Sequence, residues 1–219
     1  MLSLRHNLMK LWELAKETVF PKSAIEKEIS SLSQTEITGY FPKVGRDKDR
    51  VSAILSYKNP RVRKLIEMIK YKADQKAVNI GAILLLEEIA SMFEEKIPGR
   101  ERKFILIGVP ASKRRLKERG FDQNKLLGEE IMELGGENFL EWWPDLIFRI
   151  REVGVQSEIK SRKERLKNME NVFGAKSAVK GRTVVLIDDV TTTGSTLKDA
   201  RRALRAAGAK KTYCLSLAH

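Results

Sequence analysis

Thr183-Val-Val-Leu-Ile-Asp-Asp-Val-Thr-Thr-Thr-Gly-Ser-Thr196 decides the fold. Its first five residues form the clearest strand in the chain, and Thr196 to Ala207, closed by Gly208, is the helix that follows. Between them lie two acids and a run of hydroxyl residues. Carboxylates at a strand end can accept hydrogen bonds from two neighbouring ribose hydroxyls, or take part in binding Mg²⁺ through water. Thr191 to Thr196 offer successive backbone N–H groups, hydroxyl donors and one glycine for a turn. At a helix N-terminus, where the first amides lack partners and the dipole is positive, such a loop suits a phosphate dianion. The alternative is a plain strand-to-helix connection in which Asp189 and Ser195 only cap. The spacing matches neither G-x-x-x-x-G-K-[ST] nor G-x-G-x-x-G, so it supports neither a P-loop nucleotidase nor a dinucleotide site.

Working outward, strands alternate with helices. Lys211 to Leu217 reads as the last strand. Upstream, Phe104-Ile-Leu-Ile-Gly-Val109 is a continuous apolar run of strand length, as in a central parallel strand covered on both faces, and Pro110 ends it. Val51 to Tyr57 and Asp145 to Ile150 are further strand candidates. Helices are expected from Pro60 to about Tyr71, from Val78 to Phe93 and from Gln123 to Leu134, the last with Gly135-Gly136 beyond its end. The pattern implies an α/β fold, a doubly wound and mainly parallel sheet, whose ligands sit beyond the carboxyl ends of the strands. Residues 1–49 read as a helical N-terminal extension and linker, and 50–219 as the main domain. Leu4, Leu8, Leu11, Trp12, Ala15 and Val19 give the first helix its apolar face, Ser23 to Leu32 suggests a second, and Ser33 to Arg50 looks like a poorly ordered connection.

The apolar share of 42% and charged share of 32% describe a globular chain with a heavily charged surface. Its formal charge of +13 is uneven: residues 100–125 carry nine Lys/Arg against three Asp/Glu, 160–182 eight against two, and 198–211 six against one. Such clustering points to an anionic partner, a polyphosphate ligand or a nucleic acid, or else to a solvated basic surface. Cys214 is the only cysteine, which excludes an internal disulfide and a cysteine-based zinc site and agrees with a reducing compartment. The N-terminus lacks the apolar core of a signal peptide and no run is long enough to span a bilayer, so the expected address is the cytoplasm.

The 184–196 run closely resembles the signature of type I phosphoribosyltransferases, which bind 5-phosphoribosyl-1-pyrophosphate (PRPP). Further blocks are similar to those of the ComF family, amidophosphoribosyltransferase-like proteins associated with DNA uptake in competence. They are Tyr57 to Tyr71, Val109 to Asn124 with its Arg119-Gly-Phe-Asp-Gln123, and Gln156 with Arg165, Asn168 and Phe173. The resemblance covers roughly residues 50 to 218. Many members begin with a four-cysteine zinc element, which this chain lacks.

The resemblance implies a phosphoribosyltransferase fold and roles for particular residues. Asp188 and Asp189 would contact the ribose hydroxyls and balance positive charge developing on the ribose. Thr191, Thr192, Thr193, Gly194, Ser195 and Thr196 would hold the 5′-phosphate. The segment after Val109 is the pyrophosphate loop, where Lys113, Arg114, Arg115 and Arg119 would neutralise the leaving group together with Mg²⁺; the alternatives are a solvated basic turn and an Arg119–Glu118 surface pair. No direct side-chain metal ligand is expected, only Mg²⁺ carried by PRPP and reached by Asp188 and Asp189 through water. Arg151 to Phe173 would be the closing loop, with Arg162, Lys163 and Arg165 as candidates for reaching the ligand. Trp142 and Trp143 either pack beneath that loop or stack a base. The implied activity is displacement of pyrophosphate by a nitrogen acceptor that residues 1–60 do not identify. The rival is a competence accessory protein that binds single-stranded DNA and senses PRPP. A homodimer is left open.

Overall fold

The structure is a computed structural model, and it describes residues 22–44, 51–93, 103–151 and 171–219. The expected first helix and the segment 152–170, with Gln156, Arg162, Lys163, Arg165 and Asn168, lie outside the described residues.

Five parallel strands form the main sheet in the order β1-β7-β6-β2-β3: β1 Val51–Leu55, β2 Phe104–Gly108, β3 Leu140–Trp142, β6 Thr183–Val190 and β7 Lys211–Ala218. The apolar runs are continuous because the sheet is covered twice. Phe104, Leu106, Val185, Ile187, Leu215 and Leu217 face one core, and Ile105, Ile107, Val184, Leu186 and Cys214 the other. Alternate residues of a strand point to opposite faces, so both sets must be apolar. The Cys214 thiol lies in the second core, where burial pushes it up to about 12, so it is a small core residue and no nucleophile.

Seven helices among the described residues complete the layers: α1 Ala24–Ser31, α2 Ile37–Tyr40, α3 Pro60–Glu67, α4 Gln75–Phe93, α5 Lys113–Arg119, α6 Gln123–Glu133 and α7 Ser195–Ala206. On the first face lie α4 and α6, whose Ile80, Leu84, Leu127 and Ile131 are fully buried. On the second lies α7, through Leu197, Ala200 and Leu204. Ile29 of α1, Ile37 of α2 and Phe41 join the first core, which is why α4 is apolar nearly all round: it is sandwiched between the sheet and the N-terminal helices. None of the described helices is long and apolar enough to cross a membrane.

Connections fix where a ligand can sit. From β2 the chain passes through α6 to β3 on one side, whereas from β6 it passes through α7 to β7 on the other. The two crossovers take opposite faces, as right-handed connections running in opposite directions require. A crevice therefore opens between the carboxyl ends of β2 and β6.

Three sequence expectations change. Asp145 to Ile150 does not enter the main sheet; β4 Ile147–Arg149 pairs antiparallel with β5 Phe173–Ala175 in a separate two-stranded sheet. The edge position belongs to β3, whose Trp142 ring lies over Gly128 of α6. The basic segment after Val109 is not all loop: Ser112 caps α5 by accepting from the Arg115 N–H at 3.3 Å, and Gly120, at φ +82, ends it. The connection after Ser33 contains a 3-10 turn at Gln34–Glu36 and then α2.

The Asp199 carboxylate of α7 ties β5 down. It accepts from the backbone N–H groups of Asn171, Val172 and Phe173 at 2.8–3.1 Å and from Arg202 Nε at 2.8 Å, bonds that hold it below the usual carboxylate range against its own burial.

Candidate functional site

The crevice holds a cavity of about 200 Å³ lined by the ends of β2 and β6, the 191–196 loop and the start of α7. Asp188, Asp189 and all six residues Thr191 to Thr196 line it, so the strand-end acids and the hydroxyl loop face one space. Gly194 stands at φ +69 immediately before α7 and turns the loop into the helix, a conformation that costs other residues about 1–2 kcal/mol. The Thr193 hydroxyl donates to Ser195 Oγ at 2.9 Å, and the Thr191 N–H bonds to the Ala218 carbonyl at 2.9 Å, which fixes the loop's start against β7. The first amides of a twelve-residue helix open toward the cavity.

The four basic candidates separate. Arg115 lines the cavity; Lys113 lines a second one. Arg114 pairs with Glu118 on the surface at 3.4 Å. Arg119, expected either in the pocket or against Glu118, does neither: it donates to Gln123 Oε1 at 2.8 Å and lies over the Tyr71 ring. Gln123, buried, is the residue that reaches the cavity wall.

Sequence reasoning missed five residues that shape the site. Asn124 is 2% exposed, and its Nδ2 donates both to the Val109 carbonyl at 2.8 Å and to Asp188 Oδ1 at 2.9 Å. It thereby joins the ends of β2 and β6. Gly108 makes the approach possible, since a Cβ there would stand 3.0 Å from the Asn124 backbone oxygen. Asp122 ties the turn after β2 to the start of α6: one oxygen accepts from the Ala111 N–H at 2.8 Å, the other from the Asn124 N–H at 2.9 Å. Both belong to the quoted Arg119-to-Asn124 block, but their geometry depends on contacts with residues far along the chain. Lys70 comes from a π turn, Met68–Lys72, that continues α3; Met68 and Ile69 enter the core while Lys70 lines the cavity. Its Nζ lies 3.5 Å from Asp189 Oδ2. Arg149 of β4 also lines the cavity and donates from Nε to the Pro110 carbonyl at 3.0 Å.

The acid pair is electrostatically loaded. Burial, then the neighbouring Asp189 charge, push the Asp188 carboxyl from 3.8 up to about 7, against the hydrogen bonds from Asn124 and the Asp189 N–H and the charge of Lys70. Asp189 Oδ2 is buried without a hydrogen bond despite the nearby ammonium. Unspent acceptor capacity of this kind marks where a ligand's hydroxyls, or water around a cation, can be received.

Asn124→Ala is expected to lower stability by about 1–2 kcal/mol, because the Val109 carbonyl and Asp188 both lose a buried donor. Urea unfolding of the two proteins checks this; equal midpoints would show that Asn124 does not tie the strand ends together.

Comparison with known proteins gives the family. Residues 148–219 match the family described as "Phosphoribosyl transferase domain". The chain is 30% identical over 158 residues to the DNA utilization protein YhgH of Escherichia coli O157:H7, an alignment spanning 71% of this chain and 67% of that protein. It is 30% identical over 147 residues to the competence protein ComFC of Bacillus subtilis (strain 168), covering 67% of this chain and 54% of that one. Among solved structures, glutamine PRPP amidotransferase from B. subtilis aligns with a TM-score of 0.39 and 18% identity, over 69% of this chain and 30% of that chain. By its sequence relationship to these proteins, the chain belongs to the ComF-type family of phosphoribosyltransferase-like proteins.

Proposed function

We propose that the protein binds PRPP in the β2/β6 crevice and transfers its phosphoribosyl group to a nitrogen acceptor. The observation that carries this reading is the convergence, on one 200 Å³ cavity, of a buried acid pair, a hydroxyl loop at a helix N-terminus and the cation Arg115. Asp188 and Asp189 receive the ribose hydroxyls. Thr191 to Thr196 take the 5′-phosphate. Arg115 and the backbone near Ala111 face the pyrophosphate. The C1–oxygen bond to pyrophosphate breaks, a C1–nitrogen bond forms, and the acceptor nitrogen gives up a proton. Positive charge developing on the ribose lies next to two carboxylates, so no covalent nucleophile is needed.

The donor set fits a hydrated Mg²⁺ brought by PRPP, because Asp189 Oδ2 has no hydrogen bond and can accept one from metal-bound water. Such an ion supplies charge neutralisation at the pyrophosphate. Zinc has no role in this reading, and its compartment is the cytoplasm.

A second reading ends at binding, with PRPP as a sensed ligand in DNA handling, the process that the names of the relatives YhgH and ComFC invoke. It is favoured by α5, which carries five cations and one acid, of which Arg115 alone lines the crevice. Pyrophosphate release from Mg²⁺·PRPP with a panel of nitrogen nucleophiles separates the two. Release that requires an acceptor supports transfer. PRPP binding with no release under any acceptor transfers the weight to sensing.

A further inference from the structure

Among the described residues, three cations line the crevice: Arg115, Arg149 and Lys70. Arg149 is held by the Pro110 carbonyl at 3.0 Å, and Arg115 stands exposed on α5. Lys70 stands against the acid pair. Its Nζ lies 3.5 Å from Asp189 Oδ2, inside ion-pair range but beyond an ordinary N–H···O hydrogen bond, and that buried oxygen has no hydrogen bond. The attraction is Coulombic and is not locked by geometry.

The backbone that carries Lys70 is, by contrast, fixed on both sides. Before it, Met68 and Ile69 are fully buried in the core. After it, Lys72 pairs with Glu26 of α1, a buried carboxylate, and Ala73, at φ +46, closes the turn by donating its N–H to the Met68 carbonyl. A π turn of this kind is uncommon and recurs at functional sites. The four-carbon stem of lysine lets the ammonium travel several ångströms from a stationary Cα. As a compact point charge it also passes between partners without the paired bonds that an arginine would have to break.

The charge balance of the crevice gives that freedom a use. Two buried carboxylates in the free protein need a nearby cation, and Lys70 supplies it. A hydrated divalent ion arriving with PRPP at Asp189 Oδ2 neutralises the pair with twice the charge and repels an ammonium a few ångströms away. The phosphate and pyrophosphate of the same ligand bring new negative charge within reach of that ammonium.

We propose that Lys70 is an exchangeable counter-ion: it neutralises Asp189 in the free protein, cedes that carboxylate to the cation carried by PRPP, and moves its ammonium onto the ligand's phosphate oxygens. The proposal rests on the PRPP reading and adds to it a ligand-binding residue from the turn after α3, which α1 braces through Glu26.

Calorimetric titration of PRPP into the wild type, Lys70→Met and Lys70→Arg at a series of Mg²⁺ concentrations tests it. Formation of Mg²⁺·PRPP in solution is common to all three and cancels from the comparison. The quantity read is the Mg²⁺ concentration at which PRPP affinity reaches half its limiting value. Lys70→Met removes the competitor and the phosphate contact together, so this concentration is expected to fall about threefold while the limiting affinity weakens about tenfold. Lys70→Arg, whose fork bonds a carboxylate through two N–H groups, is harder to displace and is expected to raise it. A side chain that only supports the fold would weaken PRPP binding without lowering the Mg²⁺ requirement. Melting curves show whether each variant is folded. An unchanged Mg²⁺ requirement in folded Lys70→Met overturns the exchange and leaves the PRPP site standing. Where Lys70→Met does not fold, Lys70→Arg decides, and a requirement no higher than that of the wild type overturns the exchange. A folded wild type that takes up no PRPP removes the site and the exchange together.

Discussion

Replacing Asp188 and Asp189 together by asparagine is expected to abolish PRPP binding and, at pH 8, to raise the melting temperature of the free protein. The two effects share a cause. Asp188 is buried beside a second carboxylate, and its folded pKa of about 7 lies above the 3.8 of an ordinary aspartate. Between those values the folded protein holds a proton that the unfolded chain has released, so this group makes stability fall as pH rises from about 4 to about 7. Above pH 7 the penalty is complete. Asparagine keeps the shape and removes the charge, and Lys70, having lost its partner Asp189, can turn toward solvent from a side chain already 18% exposed. A net gain of about 2 kcal/mol, or roughly 4–8 °C, is expected for a chain of this size. The same substitutions remove two charged acceptors from the ribose hydroxyls, which lowers affinity at least about 100-fold. Melting curves from pH 4 to 8 check the first effect: the variant's stability should lose the decline seen in the wild type. Parallel pH profiles would show that the acid pair is not under strain.

Gly128→Val is expected to destabilise the protein by about 3 kcal/mol. A Cβ at this position would stand 2.2 Å from Trp142 Cη2 and 2.4 Å from Cζ3, so α6 and β3 cannot keep their present separation. Gly128→Ala should move the same way by less, although alanine favours a helix over glycine by about 1 kcal/mol. That opposition makes the sign informative. Denaturant midpoints for both variants measure it, and an alanine variant more stable than the wild type would mean that the indole does not lie on this glycine. Trp142→Leu in the valine background should recover part of the loss.

How much of this was legible in the sequence follows from how each element is held. β2 and β6 carry apolar residues on both faces, and continuous apolar runs announce themselves. The acids and the hydroxyl loop were legible because one strand-turn-helix carries all of them. β3 was not: it is three residues long, and Leu140-Glu-Trp142 is a strand only because it pairs with Phe104 to Leu106 and covers Gly128. α5 was passed over because its basic residues suggested a loop, although Ser112 and Gly120 bracket it as caps. Lys70, Asn124 and Arg149 reach the cavity from three separate elements, so their convergence is a property of the fold and not of any local pattern.

The most direct test of the central claim is isothermal titration of the protein with PRPP, with and without Mg²⁺, for the wild type and for Asp188→Asn/Asp189→Asn. The account predicts Mg²⁺-dependent binding to the wild type and none to the folded variant. A wild-type protein that is folded and takes up no PRPP would contradict it.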